Sequence, residues 1–159
     1  MKQLMKRAST QRRRRLQRGS TAVEFALVFP VFFLIFYAIV TYSVIFAAKQ
    51  SLALAASEGA RAALKFQPSA TSAATALTLR ATAACTTANG LLNWLANAAP
   101  CTATYAPCSF DASMQCVNVS LKYNYASKPL VPILPLIGLP TPATLTANAM
   151  VQLNPENLF

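Results

Sequence analysis

The chain has 159 residues, with four acidic side chains, no histidine and a net charge of +10. So few titratable groups offer no paired carboxylates and no base beside a nucleophile, and four glycines cannot supply a Gly-rich phosphate loop. We therefore expect a protein that is not an enzyme and that needs no cofactor and no metal.

Residues 1–19 form a basic leader, which contains eight Lys and Arg side chains and no acid. Directly after it, the segment from Phe25 to Ala48 contains no charged residue. As a helix this segment would be roughly 36 Å long, enough to cross a hydrocarbon core of about 30 Å. The positive-inside rule then predicts a single-pass membrane protein, with its N-terminus in the cytoplasm and its C-terminal part exported.

Two other interpretations of this N-terminal part are weaker. An arginine-rich arm could bind nucleic acid, but no aromatic residue alternates with the arginines, so we expect no nucleic-acid partner. Ala53-Leu54-Ala55 resembles a signal-peptidase site, but the apolar run is longer than the 7 to 15 residues of an ordinary signal sequence.

Glu24 stands at the head of the apolar run, where an acid is unfavourable and therefore indicates a function. A local role is also open, because Thr21 and Glu24 fit a capping box in which Thr21 begins the helix. Pro30 follows within two turns and is expected to kink the helix.

The stretch from Gly19 through Ser20 to Glu24 and Phe25 resembles the cleavage and assembly motif of type IV prepilins, with the Glu-Phe pair similar to that of the tight-adherence (Tad or Flp) branch. The resemblance implies that a prepilin peptidase cuts between Gly19 and Ser20. It also implies that Glu24 sets the register of one subunit against the next, as counter-ion to the new amino group of a neighbouring Ser20. The resemblance also implies a bacterial inner membrane as the location. The partners it implies are other pilin or pseudopilin subunits and the inner-membrane pilus assembly platform.

The helix is expected to continue to Phe66, because residues 49–66 contain no proline, and Pro68 ends it. One stripe of residues is predicted to pack, namely Leu52, Ala56, Gly59, Ala63 and Phe66. Glu58 and Arg61 are predicted to pair on the exposed side. The segment Glu58-Gly59-Ala60-Arg61 is also similar to a motif of TadE-like proteins, the minor or pseudopilin-type members of that system.

Four cysteines lie on the predicted exported side, and an even number in an oxidising compartment predicts two disulfides. Three pairings are possible, of which Cys85 with Cys101 and Cys108 with Cys116 would close the most local loops. Between the leading helix and these cysteines, residues 69–84 are expected to form a second helix. A short third helix is expected over residues 90–96, with Leu91, Leu92, Leu95 and Trp94 buried.

Residues 116–125 and 144–153 alternate apolar and polar side chains and are predicted to form two strands. The hydrophobic link over residues 129–142 contains five prolines, which exclude a helix and a central strand. This link either packs over the strands or remains exposed for a partner.

Together these features predict an α+β, pilin-like fold, in which a long transmembrane helix continues into a small disulfide-stapled domain with a β-hairpin. The expected divisions are a leader over 1–19, a membrane span over 20–48, a helical continuation over 49–66 and an exported domain over 67–159. The function implied is that of a structural minor pilin or pseudopilin of an adhesive pilus. The alternative is an uncleaved, single-span envelope protein with an exported interaction domain.

Overall fold

The computed structural model describes residues 2–95, 99–132, 134 and 138–158, with side chains from Thr21 onward except that of Asn157. Two α-helices precede a three-stranded antiparallel sheet of order β1-β2-β3. The elements are α1 (Lys2–Ala63), α2 (Ala73–Leu91), β1 (Cys101–Pro107), β2 (Gln115–Asn124) and β3 (Thr144–Leu153), with short 3-10 helices at Asn93–Leu95 and Pro155–Asn157. The α+β prediction is confirmed.

The chain divides into two compact units, which we call the N-terminal unit, residues 1–42, and the C-terminal unit, residues 43–159. The N-terminal unit consists of α1 alone. From Thr21 onward this helix is the one described helix that is long and apolar enough to cross a membrane, and none of its most apolar window is buried. Its length and composition fit a single-pass membrane protein.

The C-terminal unit has a core between one face of the sheet and the helices. The alternation over residues 116–125 places one apolar face of β2 and the residue after it inward, because Val117, Val119, Leu121, Tyr123 and Tyr125 are all almost fully buried. One group of buried residues joins the last part of α1 and the end of α2 to β2 and β3, and includes Leu52, Ala56, Leu92, Leu121 and Leu145. A second group joins α1, α2, the sheet and the last residues of the chain, through Ala60, Ala84, Val117 and Leu158.

The four cysteines form two disulfides, Cys85 with Cys101 and Cys108 with Cys116, which join residues 16 and 8 positions apart. The first links α2 to the start of β1, and the second joins the residue that follows β1 to β2 across their connecting turn. The structure therefore selects the pairing that closes the most local loops.

Several boundaries differ from the sequence predictions. Thr21 does not begin a helix, because α1 runs from Lys2 and Thr21 lies in its interior. The leader is rich in Lys, Arg, Gln and Leu, which are good helix formers, so it continues the helical pattern backwards. At the other end α1 stops at Ala63, so that Phe66 lies beyond the helix and is exposed, while Leu52, Ala56, Gly59 and Ala63 are buried as predicted.

The second helix begins later and ends later than predicted. Ser72 is its N-cap, and the Ser72 Oγ accepts a hydrogen bond from the Thr75 backbone N–H at 3.2 Å, which satisfies one of the free amides of the first turn. The helix then includes Gly90 and ends at Leu91. As a result Leu92 and Leu95 are buried as expected, whereas Leu91 and Trp94 are about half exposed, so their predicted burial is wrong.

The sheet has one strand more than the predicted hairpin. Strands β2 and β3 agree with the prediction within one residue, but β1 was missed. Residues 101–105 alternate Cys, Thr, Ala, Thr and Tyr, and Cys101, Ala103 and Tyr105 lie on the inward side of the strand, so the signal was present but short. The strand is also held by the Cys85–Cys101 disulfide and by pairing with β2. The described part of the Pro-rich link contains no helix or strand, Leu130 packs against the core, and Ile133 and residues 135–137 lie outside the described residues.

Candidate functional site

The residues of the prepilin-like motif all lie on α1. The backbone of Gly19 and Ser20 is helical, and Glu24 and Phe25 follow on the next turn. Glu24 is the single charged residue between Thr21 and Ala48. Its neighbours Val23, Phe25, Leu27 and Val28 are all more than half exposed, so the carboxylate belongs to a surface that is otherwise apolar.

An aromatic ladder follows this motif, which the sequence analysis did not identify. Phe25, Phe29, Phe33 and Tyr37 recur every four residues, and the centroids of successive rings lie 5.2, 6.1 and 6.4 Å apart. Such spacing allows favourable ring contacts and places the four rings along one helix face. The signal available in the sequence was the four-residue period of aromatic residues.

Pro30 lies inside this stretch, and the α-helix continues on both sides of it. Proline supplies no N–H for the bond to the residue four positions earlier. The carbonyl of Ala26 therefore loses its usual helical donor. Whether the axis bends there stays a prediction.

The second motif has a structural role within the C-terminal unit. A β-carbon on Gly59 would lie 2.8 Å from the Ala84 carbonyl oxygen and 3.1 Å from the Ala88 Cβ, so a glycine is needed for α1 and α2 to approach this closely. On the exposed side, the Arg61 guanidinium donates to the Glu58 carboxylate at 3.0 Å, as predicted. The motif thus combines one packing position with one surface ion pair.

Arg80 is a buried cation that the sequence analysis missed. Its side chain is 2% exposed. Its Nη1 donates to the carbonyls of Ala63 and Leu64 at 3.0 and 3.2 Å, and its Nη2 donates to the Leu158 carbonyl at 3.1 Å. These bonds cap the end of α1, where carbonyls lack helical partners and the helix dipole favours a cation. Burial lowers the pKa of the guanidinium, which stays charged because arginine starts from so high a value.

One open groove lies beside β1 in the C-terminal unit. It encloses about 430 Å³, and small side chains line it, mostly from one flank of α2: Thr78, Ala81, Thr82, Cys85, Thr86, Asn89, Ala103 and Tyr105. The threonine hydroxyls of α2 donate to carbonyls four residues earlier, and the Thr78 hydroxyl also lies 3.3 Å from that of Tyr105. With the amide of Asn89, the groove offers hydroxyl, amide and methyl groups but no charge. No cluster of metal-ligating side chains occurs among the residues that the structure describes.

Comparison with protein families finds a match in the N-terminal part of the chain. The model described as TadE-like protein matches residues 19–61. The matched range begins at Gly19 and ends at Arg61, so it contains both motifs described above. No curated protein and no solved structure matches the chain.

Proposed function

The N-terminal part of the chain is TadE-like, and from this premise we propose that the protein is a structural minor pilin or pseudopilin of a Tad-type adhesive pilus. The observation that carries the proposal is the position of the family match, which starts at the residue before the proposed cleavage site. A TadE-like segment associates the protein with the Tad pilus. Its processing and its place in assembly are the proposed part.

Processing would occur at the bond between Gly19 and Ser20. Glycine has no β-carbon and lets a protease approach the backbone closely, whereas a larger residue would obstruct it. The basic leader would hold this bond on the cytoplasmic side of the inner membrane. There the peptidase would cut the leader from the rest of the chain.

Assembly would use the exposed surface of α1. After cleavage, the amino group of Ser20 is a cation at the edge of an apolar helix. Glu24 is an acid about 6 Å further along the same helix, so it would reach the amino group of a neighbouring subunit that is offset by about one turn. Opposite charges attract more strongly where water is scarce, so the pair would fix the axial register of the two helices. The aromatic ladder from Phe25 to Tyr37 would supply the apolar contact beside that pair.

The helix α1 would be divided between the membrane and the exported part of the protein. The membrane span, expected over residues 20–48, would end near Tyr42, because Ile45 and Ala48 are buried in the core of the C-terminal unit. The helix would continue outward to Ala63, and residues 67–159 would complete the exported domain. Pro30 would allow the helix to bend or open locally while a subunit leaves the membrane. The prepilin peptidase, other pilin or pseudopilin subunits and the inner-membrane platform would be its partners.

The first experiment is to determine the N-terminal residue and the intact mass of the protein from membranes of cells with and without the prepilin peptidase. The proposal requires a start at Ser20 that depends on the peptidase, and a Gly19→Val variant should keep the leader in both cells. A start at Met1 in both cells would identify an uncleaved membrane anchor. A start at Ala56 would identify a secreted protein.

A further inference from the structure

The two edge strands of the sheet, β1 and β3, carry none of the charged residues that often protect such edges from further pairing. Natural edge strands carry charged residues, prolines or bulges that prevent further pairing. Here β1 and β3 contain no charged residue, and the one charge of the sheet, Lys122, lies on the central strand. The single proline, Pro107, is the last residue of β1.

The two edges differ in shape. Beside β1 lies the groove of about 430 Å³ described above, which opens between this strand and the threonine flank of α2. On β3, the inward-facing Ala149 and Val151 are only half-buried, whereas the equivalent Val117 and Val119 on the central strand are fully buried. The β1 edge therefore has an open groove between the strand and α2. The β3 edge has small apolar side chains that are partly exposed to solvent.

The strand registers place these features at the same level. Ala103 on β1 and Ala149 on β3 both lie opposite Val119 on the central strand. Tyr105 on β1 and Val151 on β3 both lie opposite Val117. A copy shifted sideways by the width of the sheet would bring Ala149 and Val151 beside Ala103 and Tyr105, with the inward faces matched. Because β1 and β3 both run antiparallel to β2, they would pair as parallel strands.

The membrane anchor decides between the possible pairings of two copies. Antiparallel pairing of β3 with β3 needs a two-fold axis perpendicular to the sheet. That axis also reverses the part of α1 that packs along the sheet, so the two Ser43 ends would point in opposite directions. Copies that leave one membrane point the same way, which excludes this arrangement. A two-fold axis parallel to the strands would keep the direction of α1, but it would place the helices of the two copies on opposite faces of the sheet. Only the pairing of opposite edges keeps both the direction and the inward face.

We propose that β3 of one copy pairs in parallel with β1 of a second copy, and that Ala149 and Val151 fill the groove beside α2. The contact is heterologous, so it can be repeated and is suited to a filament or a row of subunits. Uncharged edges remove like-charge repulsion from this contact. The inference rests on the proposed function only in requiring that α1 anchors every copy in one membrane.

The test uses cysteines on the outer face of the sheet at one level. Thr104, Asn118 and Met150 are exposed there, and the registers align them on β1, β2 and β3. Within one copy Thr104 and Met150 lie two strand spacings apart, roughly 10 Å, which exceeds the reach of a disulfide. A bond between the two positions must therefore join different copies.

Two full-length chains with different tags, one Thr104→Cys and one Met150→Cys, would be co-expressed in cells that assemble the pilus and mildly oxidised in the membrane. We expect a mixed dimer at least about tenfold more abundant than in the matched controls, in which Asn118→Cys replaces either partner, because those pairs lie a further strand apart. Peptide mass mapping would verify the linked residues and the two native disulfides.

Other outcomes overturn the inference. Dimers formed by Met150→Cys alone would show β3 pairing with itself. A bond to a different protein would show that another subunit occupies the edge, and equal dimers in all combinations or none would show that the edges do not pair. The N-terminus determined from the same sample distinguishes failure of this inference from failure of the proposed function. A start at Ser20 without the mixed dimer would overturn the strand pairing and leave the pilin function intact. A mixed dimer of uncleaved chains would support the strand pairing and contradict processing as a pilin.

Discussion

In residues 21–42 the large side chains face outward on all sides of one helix, whereas in residues 43–159 the helices pack through alanine, glycine and leucine against a sheet. Phe25, Leu27 and Phe32 are each more than 60% exposed, and in the C-terminal unit Ala48, Ala55 and Ala63 are fully buried. Large exposed apolar residues need an outside partner, either lipid or another helix. The first region thus depends on what surrounds it, and the second is stabilised by its own contacts.

This comparison predicts where mutations act. Changes on the exposed helix should affect insertion and assembly with little effect on the fold of the C-terminal unit. Changes at the contacts of the C-terminal unit should affect its stability without altering cleavage after Gly19.

The largest expected effect is that of Glu24→Ala. Cleavage should be retained, while incorporation into the filament should fall by about tenfold or more, because the amino group of Ser20 loses its counter-ion in an environment of low dielectric. The measurement is the ratio of the mature protein in sheared filaments to that in membranes. Glu58→Ala is the matched control, since it removes an acid from the same helix but only a surface ion pair, and normal incorporation of Glu24→Ala would contradict the proposed register.

The second effect concerns stability. Arg80→Met should lower the free energy of unfolding of the C-terminal unit by about 2 to 4 kcal/mol, since it leaves buried carbonyls at the end of α1 and near the C-terminus without donors. Arg61→Met removes an exposed arginine from an i,i+3 pair and should cost at most about 1 kcal/mol. Denaturation of the full chain in detergent micelles, followed by near-ultraviolet circular dichroism, measures both variants. Equal losses would show that Arg80 is not the cap that its geometry indicates.

Arg80 also shows where prediction from the sequence stops. Local periodicity and spacing are enough to predict the long apolar helix, the β2 and β3 strands and the Glu58–Arg61 pair. Each of these patterns involves residues that are close together in the sequence. Arg80 lies in an Ala/Thr-rich helix with no nearby acid, and its acceptors are backbone carbonyls of residues 63, 64 and 158. Backbone acceptors cannot be recognised from side-chain patterns, so the cap could not be found in this way. The β1 strand is a different case, because its alternation of apolar residues with threonine over residues 101–105 is present in the sequence but short.

The candidate site shows the same limit. Gly19, Glu24 and Gly59 were identified because they belong to short motifs with a fixed spacing. The groove beside β1 combines residues of α2 with residues of a strand that was not predicted. Its existence depends on how two distant segments pack, which requires the three-dimensional structure.

A smaller effect distinguishes two glycines. Gly59→Ala should destabilise the C-terminal unit by about 1 to 2 kcal/mol, because the strain of displacing the Ala84 carbonyl exceeds the gain in helix propensity. Gly90→Ala is the matched control, because a β-carbon at Gly90 meets no atom within 4 Å, and it should stabilise the unit by about 0.5 to 1 kcal/mol. Opposite signs in the same unfolding assay would support close helix packing as the reason for Gly59, and stabilisation by both would refute it.

The smallest effect is a dependence on pH. Tyr123 is buried and its hydroxyl donates to the Lys128 carbonyl, and burial raises the pKa of this phenol above its ordinary value of 10.0. As the pH rises, the phenol therefore loses its proton in the unfolded chain before it does so in the folded protein. The contribution of Tyr123 to stability is complete below about pH 10, and it is lost as the pH passes through the folded-state pKa. We expect the free energy of unfolding to decline above about pH 10, and less steeply in Tyr123→Phe, which has no proton to release. Comparing the original chain with Tyr123→Phe at each pH cancels the titration of the other tyrosines and the lysines. If the two plots of unfolding free energy against pH were parallel, the phenol of Tyr123 would ionise as readily in the folded protein as in the unfolded chain.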